Sequence, residues 1–237
     1  MSEFEPSEYH ILVIDDDTLV LEMIEEALSR SGFQVSAVTS AEDALDWMKR
    51  HGLPHLAVVD INMPFGMDGL EFCEMVHTFS DLPIMMLTAI EDEETISQAI
   101  DRCAEDYLTK PFQPGELIAR ARRILRRIGR FAFPLESLIR VDTRLAVDLV
   151  GCQVIVGGRP DILTPTETKL LYILMRNAGR PVNSNYLLRR LWPHDIDHDD
   201  RLRVYIHRLR NKIEVDSAKP YYIRSQRGVG YTFWRDN

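Results

Sequence analysis

Cysteine is scarce: there are three in 237 residues, Cys73, Cys103 and Cys152. They are odd in number, widely spaced and free of any C-x-x-C pair, which argues against a disulfide framework and against a thiolate metal or redox centre. All three read as reduced packing residues. Long apolar runs are also missing, since no stretch approaches the 20 residues of a membrane-crossing helix. The opening MSEFEPSEYH is acidic where a secretory leader is basic and then apolar, so the expectation is a soluble, cytoplasmic chain with no membrane partner. With 45% hydrophobic residues and 12 glycines, neither disorder nor a collagen-like repeat fits.

What is present exceeds one core. A chain of 237 residues is longer than a single hydrophobic core usually organises, so two domains are expected. The formal charge of −9 conceals a division. Residues 1–125 hold 25 acidic against 8 basic residues, net −17, whereas residues 126–237 hold 12 against 20, net +8. An acidic half suits a cation or a basic partner, and a basic half suits a polyanion.

From Tyr9 onward, short apolar runs alternate with amphipathic stretches: YHILVI, LVLEMIEEALSRSG, QVSAV, AEDALDWMKRHG, HLAVVD, GLEFCEMVHTF, PIMMLT, EDEETISQAIDRC, DYLT and PGELIARARRILRRIG. Five strands alternating with five helices predict an α/β fold, a five-stranded doubly wound parallel sheet. Leu117, Ala121, Ile124, Leu125 and Ile128 share one face of the last helix. The pattern breaks at FAFP, which reads as a brief, stiff tether, so the expected domains are 1–128 and 136–237 with a linker over 129–135. The second domain opens with LIRV, LAVDL, CQVIV and the turn GGRP, a small antiparallel meander. Thr164 with Glu167 forms a capping box for the helix PTETKLLYILMRNAG. The helices SNYLLRRLW and DDRLRVYIHRLRNKIE follow, and then two aromatic-rich strands around Arg227-Gly228. Three helices and a closing hairpin predict a winged helix-turn-helix.

In a doubly wound sheet, ligands bind at the carboxyl ends of the strands. Those ends carry Asp15, Asp16 and Asp17 on the first strand, Asp60 on the third, Thr88 on the fourth, and Lys110-Pro111 after the fifth. Several carboxylates in one pocket need a cation, and hard oxygen ligands suit Mg²⁺. A metal, a carboxylate nucleophile, a hydroxyl and a lysine form a phosphoryl-transfer constellation. Here LVIDDD, VVDINMP, MLTA and YLTKPF stand in the order and spacing of the receiver (CheY-like) domain of two-component response regulators, which residues 9–128 resemble. The resemblance implies that Asp60 is the phosphoacceptor and that Asp15 and Asp16, with the backbone near Ile61 and Asn62, support Mg²⁺. It further implies that Thr88 and Lys110 hold phosphoryl oxygens, that Tyr107 is a switch aromatic, and that Lys110–Pro111 is cis. Asp17 and Asp68, taken singly, read equally well as helix caps.

This sequence departs from the family pattern in three places. PFGMDG has one residue more than usual, so the loop after Asp60 should bulge. Cys103 replaces a glycine, and Ile96 stands where a basic residue often pairs with Glu116. The family's dimer face would here comprise Glu105, Asp106, Glu116, Arg120 and Arg127, which supply both signs of charge.

In the helix 199–214, Leu202, Ile206, Leu209 and Ile213 mark the buried stripe. Rotation by 100° per residue puts Arg201, Val204, Arg208 and Asn211 on the far face, with Arg203 and Arg210 flanking the core. Arginine and asparagine are the side chains that pair bidentately with guanine and adenine. LTPTETKLL, VYIHRLRNKI and IRSQRGVGYTF resemble the effector domain of the OmpR/PhoB subfamily over residues 136–236. That resemblance implies that Arg208 and Asn211 read the major groove, that Arg201 and Arg210 hold the backbone, and that Arg227 enters the minor groove. Asp200 occupies a position that is often basic in the subfamily.

The expected protein is therefore a regulator that accepts a phosphoryl group from a sensor histidine kinase on Asp60, dimerises and binds promoter DNA, with RNA polymerase as a further partner. It is no enzyme beyond its own phosphoryl transfer and dephosphorylation. One alternative is a receiver used only as an interaction module, with DNA binding independent of phosphorylation. Another is a phosphoaspartate hydrolase, because IDDDTL resembles the D-x-D-x-T/V signature of haloacid-dehalogenase-type phosphatases, with Asp15 as nucleophile and Asp17 as acid. Leu19 stands where that signature wants Thr or Val, and no late acidic pair follows a lysine.

Overall fold

The computed structural model describes residues 4–89, 104–128, 133, 136–193 and 199–234. The chain divides into two compact units, Met1–His77 with Leu82–Arg130 and Thr78–Asp81 with Phe131–Asn237.

The first unit runs β1 (His10–Ile14), α1 (Thr18–Arg30), β2 (Gln34–Val38), α2 (Ala41–His51), β3 (Leu56–Asp60), α3 (Gly69–Phe79), β4 (Ile84–Thr88), β5 (Asp106–Thr109) and α4 (Pro114–Ile128). The helix expected at EDEETISQAIDRC, with Ile96 and Cys103, lies outside the described residues. The strands form one parallel sheet in the order β2-β1-β3-β4-β5. β3 and β4 are buried at every residue because helices cover both faces, which is why they read as unbroken apolar runs. Ile11, Val13, Val58, Met85 and Leu87 pack against Leu21, Ile24 and Leu28 of α1 and Leu117, Ala121, Ile124 and Leu125 of α4. Their alternates Leu12, Ile14, Ala57 and Val59 are equally buried on the opposite face. The edge strand β2 is only half-covered.

The second unit begins with the antiparallel sheet β6 (Ile139–Arg140), β7 (Leu145–Asp148), β8 (Gln153–Val156) and β9 (Arg159–Ile162). The meander has one strand more than expected: GGRP is a turn, but Arg159 and Pro160 already belong to β9, whose exposed face hid its period. Helices α5 (Pro165–Arg176), α6 (Ser184–Leu191) and α7 (Asp199–Ile213) follow, with a second sheet of β10 (Val182–Asn183), β11 (Ile223–Gln226) and β12 (Gly230–Phe233) in the order β10-β12-β11. This is the winged helix-turn-helix layout. The Thr164/Glu167 capping box is formed at α5. Glu167 is buried, and Lys212 of α7 bonds it at 2.8 Å, so the start of α5 also anchors the end of α7.

Gly69 positions the end of β3. A Cβ there would lie 2.1 Å from the Asp60 carbonyl oxygen and 2.9 Å from Ile61 Cα. Gly69→Ala should therefore displace the main chain at Asp60 and destabilise the first unit by about 1–3 kcal/mol, as overpacking against rigid backbone does. Thermal unfolding of the variant checks this, and an unchanged Tm would show that the loop yields freely.

Candidate functional site

Parallel strands ending at one edge bring Asp15, Asp16, Asp60, Thr88 and Lys110 together. Asp15 and Asp60 are buried and Asp16 is exposed, and each offers an oxygen within 4.8 Å of the others. Lys110 Nζ lies 2.6 Å from Asp15 Oδ2 and 3.0 Å from Asp60 Oδ2. Asp15 also accepts the Asp17 N–H at 3.0 Å. Asp60 Oδ1, by contrast, is buried and has no hydrogen-bond partner among the described residues. Thr88 is fully buried; its carbonyl accepts the Lys110 N–H at 2.7 Å, and the Lys110–Pro111 bond is cis. Asn62 is exposed, two residues beyond Asp60.

The electrostatics follow from three carboxylates facing one ammonium. Burial pushes the Asp15 carboxyl above its ordinary range, against the opposing pull of Lys110 and the Asp17 N–H. Burial works to lower Lys110 too, but its bonds to Asp15 and Asp60 prevail and its pKa is raised. Both groups hold protons more tightly, as expected where negative charge is in excess. An all-oxygen donor set with an unpartnered buried oxygen fits a hard divalent cation such as Mg²⁺.

Asp17 and Asp68 are caps. Asp17 accepts from Leu19 N at 2.9 Å and Val20 N at 3.4 Å, and Asp68 accepts from Glu71 N at 2.8 Å. Asp17 is thus turned to its own helix, which removes the general acid that the hydrolase reading needs. In the loop after Asp60, Phe65 is 85% exposed and Gly66 takes φ +81. Glu42 of α2 pins it by accepting Met67 N at 3.0 Å, a contact that nothing in the sequence signalled because the two segments are far apart in the chain.

Tyr107 is 37% exposed on β5. Around it the charged residues of the expected dimer face pair within the chain. Arg120 meets Asp106 at 3.0 Å and Glu116 at 2.6 Å, Arg123 meets Asp106 at 2.6 Å, and Arg127 pairs with Glu105. Arg123 was not among the expected residues.

In the second unit the exposed line of α7 comprises Asp200, Arg203, Val204, His207, Arg208 and Asn211. The helix is rotated slightly from the sequence expectation. Arg201 is half-buried with its guanidinium 4.5 Å from the centre of the Trp192 ring, while Arg203 and His207 join the outward face. Arg208 stacks over Tyr205 at 5.3 Å. Arg210 turns to the wing: Nε and Nη2 donate to the Ile223 carbonyl at 3.0 and 2.8 Å, and Nη2 also donates to Ser225 Oγ at 2.8 Å. Arg227 is exposed at the hairpin tip beside Gly228, whose φ of +75 makes the turn. A groove of about 580 Å³ between α6, α7 and the wing is lined by Asn185, Arg203, Gln226, Arg227 and Tyr231 among others.

A parallel five-stranded sheet with an acidic, lysine-bridged pocket, followed by a basic winged helix, defines a receiver joined to a DNA-binding effector. Residues 11–122 match the response regulator receiver domain, and residues 158–233 match the C-terminal domain of transcriptional regulatory proteins. The chain is 36% identical over 96% of its length and 96% of the partner's to a probable transcriptional regulator, ycf27, of Porphyridium aerugineum. It is 35% identical to the KDP operon transcriptional regulatory protein KdpE of Escherichia coli (strain K12), covering 94% and 98% of the two chains. Among solved structures it is similar to DrrB, a Thermotoga maritima OmpR/PhoB homolog, at 31% identity and TM-score 0.46, with 95% and 99% covered. The chain belongs to the two-component response regulators of OmpR/PhoB type and is a phosphorylation-regulated, DNA-binding transcription regulator. Among the described residues, no helix is long and apolar enough to cross a membrane.

Two outcomes test the geometry. A raised Asp15 pKa means that this carboxyl favours folding below its unfolded pKa and that the contribution is lost as pH rises through the folded value. Mg²⁺ should therefore raise the Tm most at pH 8, and the gain should shrink as pH falls and Asp15 takes up its proton; calorimetry across a pH series checks it. Arg210→Ala should cost about 1–2 kcal/mol and speed amide exchange across Ile223–Gln226, because it frees the wing strand.

Proposed function

We propose that Asp60 accepts a phosphoryl group from a sensor histidine kinase and that the first unit, residues 1–128, acts as the switch for a DNA reader at 136–237, with 129–135 as the tether. The observation that carries this is Asp60 itself: a buried carboxylate bridged on one oxygen by Lys110, with its other oxygen unpartnered beside two further aspartates. When bound, Mg²⁺ would neutralise the excess charge at Asp15, Asp16 and Asp60, with the backbone at Asn62 as a further donor. In this reading Lys110 holds a phosphoryl oxygen and Thr88 reaches the same group from β4; the Lys110–Asp60 pair at 3.0 Å and the burial of Thr88 at the end of β4 support it. Self-phosphorylation and dephosphorylation are the chemistry of these residues; no other turnover is assigned.

Phosphorylation would redirect Thr88 and Tyr107 and promote a homodimer through Glu105, Asp106, Glu116, Arg120 and Arg127. The dimer would then bind double-stranded promoter DNA in the cytoplasm, where RNA polymerase is the natural further partner. Arg208 and Asn211 are assigned to base edges, Arg201 and Arg210 to the backbone, and Arg227 to the minor groove. The exposure of Arg208, Asn211 and Arg227 supports that assignment, while the contacts of Arg201 with Trp192 and of Arg210 with the wing make these two positioning arginines as well.

The test is treatment with acetyl phosphate and Mg²⁺, read by acid-labile label and by sedimentation. Label should map to Asp60 and be abolished in Asp60→Asn, and the sedimentation coefficient should rise. Arg120→Glu should weaken the phosphorylated dimer. A chain that takes up no label yet binds its duplex equally well would make the first unit an interaction module.

A further inference from the structure

Three histidines gather at the amino end of the parallel sheet, away from the acidic pocket: His10 opens β1, His55 stands just ahead of β3, and His51 closes α2. The His10 N–H donates to His55 Nδ1 at 2.9 Å, and the His55 N–H donates to the His10 carbonyl at 2.8 Å. A main-chain N–H only donates, so Nδ1 carries no hydrogen and the His55 ring is neutral, protonated on Nε2. Its orientation is fixed as well, since the flipped ring would set a carbon against that N–H. On the other side of β1, His10 Nε2 lies 3.0 Å from Ser36 Oγ of β2. Aromatic rings close the cluster. Tyr9 stands edge-on to His55 at 5.4 Å, and Trp47 of α2 stands edge-on to His10 at 4.9 Å and stacks on His51 at 4.7 Å. His10 and His55 are half-buried among these groups.

We propose that this cluster is an acid-sensitive latch on the first unit: proton uptake at His55 breaks the paired bonds with His10 and lets the amino ends of β1 and β3 part. A protonated His55 has no acceptor for the His10 N–H, and it sets positive charge against a second imidazole. Burial first, and then His10, push the His55 imidazole down to about 4, while burial and then His51 lower His10. Once the strands part, the His55 ring returns to its ordinary 6.5. Between those two values the open form binds a proton that the closed form refuses, so opening is favoured as pH falls through that window. Of the charges on the neighbouring elements, Asp46, Lys49 and Arg50 engage one another on the exposed side of α2, and Glu8 ahead of β1 is exposed. β2 presents the Ser36 hydroxyl. The imidazoles thus act on one another, and each proton taken up makes the next more disruptive.

The experiment follows amide exchange in the full, unphosphorylated chain from pH 7.5 to pH 5.5, corrected for the intrinsic pH dependence of exchange, with the His55 ring signals read by NMR. Protection over residues 10–13 and 55–58 should fall about tenfold across that range, the loss expected from one imidazole that moves from about 4 to its ordinary 6.5 on opening. Protection over β4 should fall less than about twofold. The His55 ring should stay neutral at pH 5.5. His55→Asn, whose Oδ1 stands where Nδ1 does and accepts at any pH, should hold protection over residues 10–13 within about threefold, whereas a mere packing role would lower it alike at every pH. A His55 ring that titrates near 6.5 in the folded chain, or protection unchanged between the two pH values, overturns the latch, and both are read on the wild type alone. A loss as steep in His55→Asn as in the wild type overturns it too. So does an equal loss over β4, which would mean that the unit unfolds as a whole.

Discussion

The constraint on which the first unit depends is unbalanced charge at one edge of its sheet. Asp15 and Asp60 are buried there with Asp16 beside them, and among the described residues Lys110 is the cation that answers them. A buried carboxylate without compensation is costly, so the fold tolerates this cluster only because Lys110 bridges two of its members. The bridge leaves Asp60 Oδ1 unpartnered, and that oxygen makes the pocket reactive toward whatever brings positive charge or takes a lone pair. Strand order brings these residues to one edge, while the helix caps at Asp17 and Asp68 keep two further carboxylates out of the pocket.

The second unit solves a different problem, which is to present α7 and the wing as one rigid surface. Glu214, buried just beyond α7, accepts the backbone N–H groups of Tyr221, Tyr222 and Ile223 at 2.8 to 3.1 Å, so the chain leaves the helix and enters β11 around a single carboxylate. Arg210 closes the same junction from the helix side, and burial lowers its pKa, as fits a guanidinium turned inward. Arg144 donates to the Ile213 carbonyl at 2.7 Å, and Lys212 ties the helix to Glu167. With helix and wing fixed to each other, the arginines proposed to meet DNA would approach it in one geometry, and less ordering entropy would be lost on binding.

Much of this was legible in the sequence because strand ends are. Asp60, Thr88 and Lys110 each close an apolar run, and in a parallel sheet that punctuation alone places them together. The rotation of α7 was read less well, since the buried stripe fixes the inner face but leaves Arg201, Arg203 and His207 within a few tens of degrees of the boundary. Arg201 is held aside by Trp192, the residue just after α6, and no periodicity within α7 could report it. The same holds for Glu42 on the loop after Asp60, for Arg123 on Asp106 and for Arg210 on the wing: side-chain contacts between distant segments carry no local signal. The missed strand β9 has a plainer cause, because every residue in it is exposed and it shows no alternation.

The ion pairs around Tyr107 bear on how a small chemical event could rearrange a large face. In one chain Asp106 holds Arg120 and Arg123 while Arg120 also holds Glu116, and Glu116 keeps Arg120 charged more firmly than its ordinary value. The Arg120–Glu116 pair is at the surface, where such pairs are worth about 0–1 kcal/mol. Asp106 is buried and costly to leave unpaired, so in the proposed dimer its arginines would have to be replaced by equivalent ones across the two-fold axis for the energy to change little. A face built this way has no strong preference of its own between monomer and the proposed dimer. The balance is then set by whatever alters Tyr107 and the end of β4, and a bias of about 1–3 kcal/mol from the Asp60 pocket is enough to shift it. Strong buried apolar contacts on the same face would fix an association permanently, whereas exchangeable charges would leave the proposed dimer under the control of the pocket.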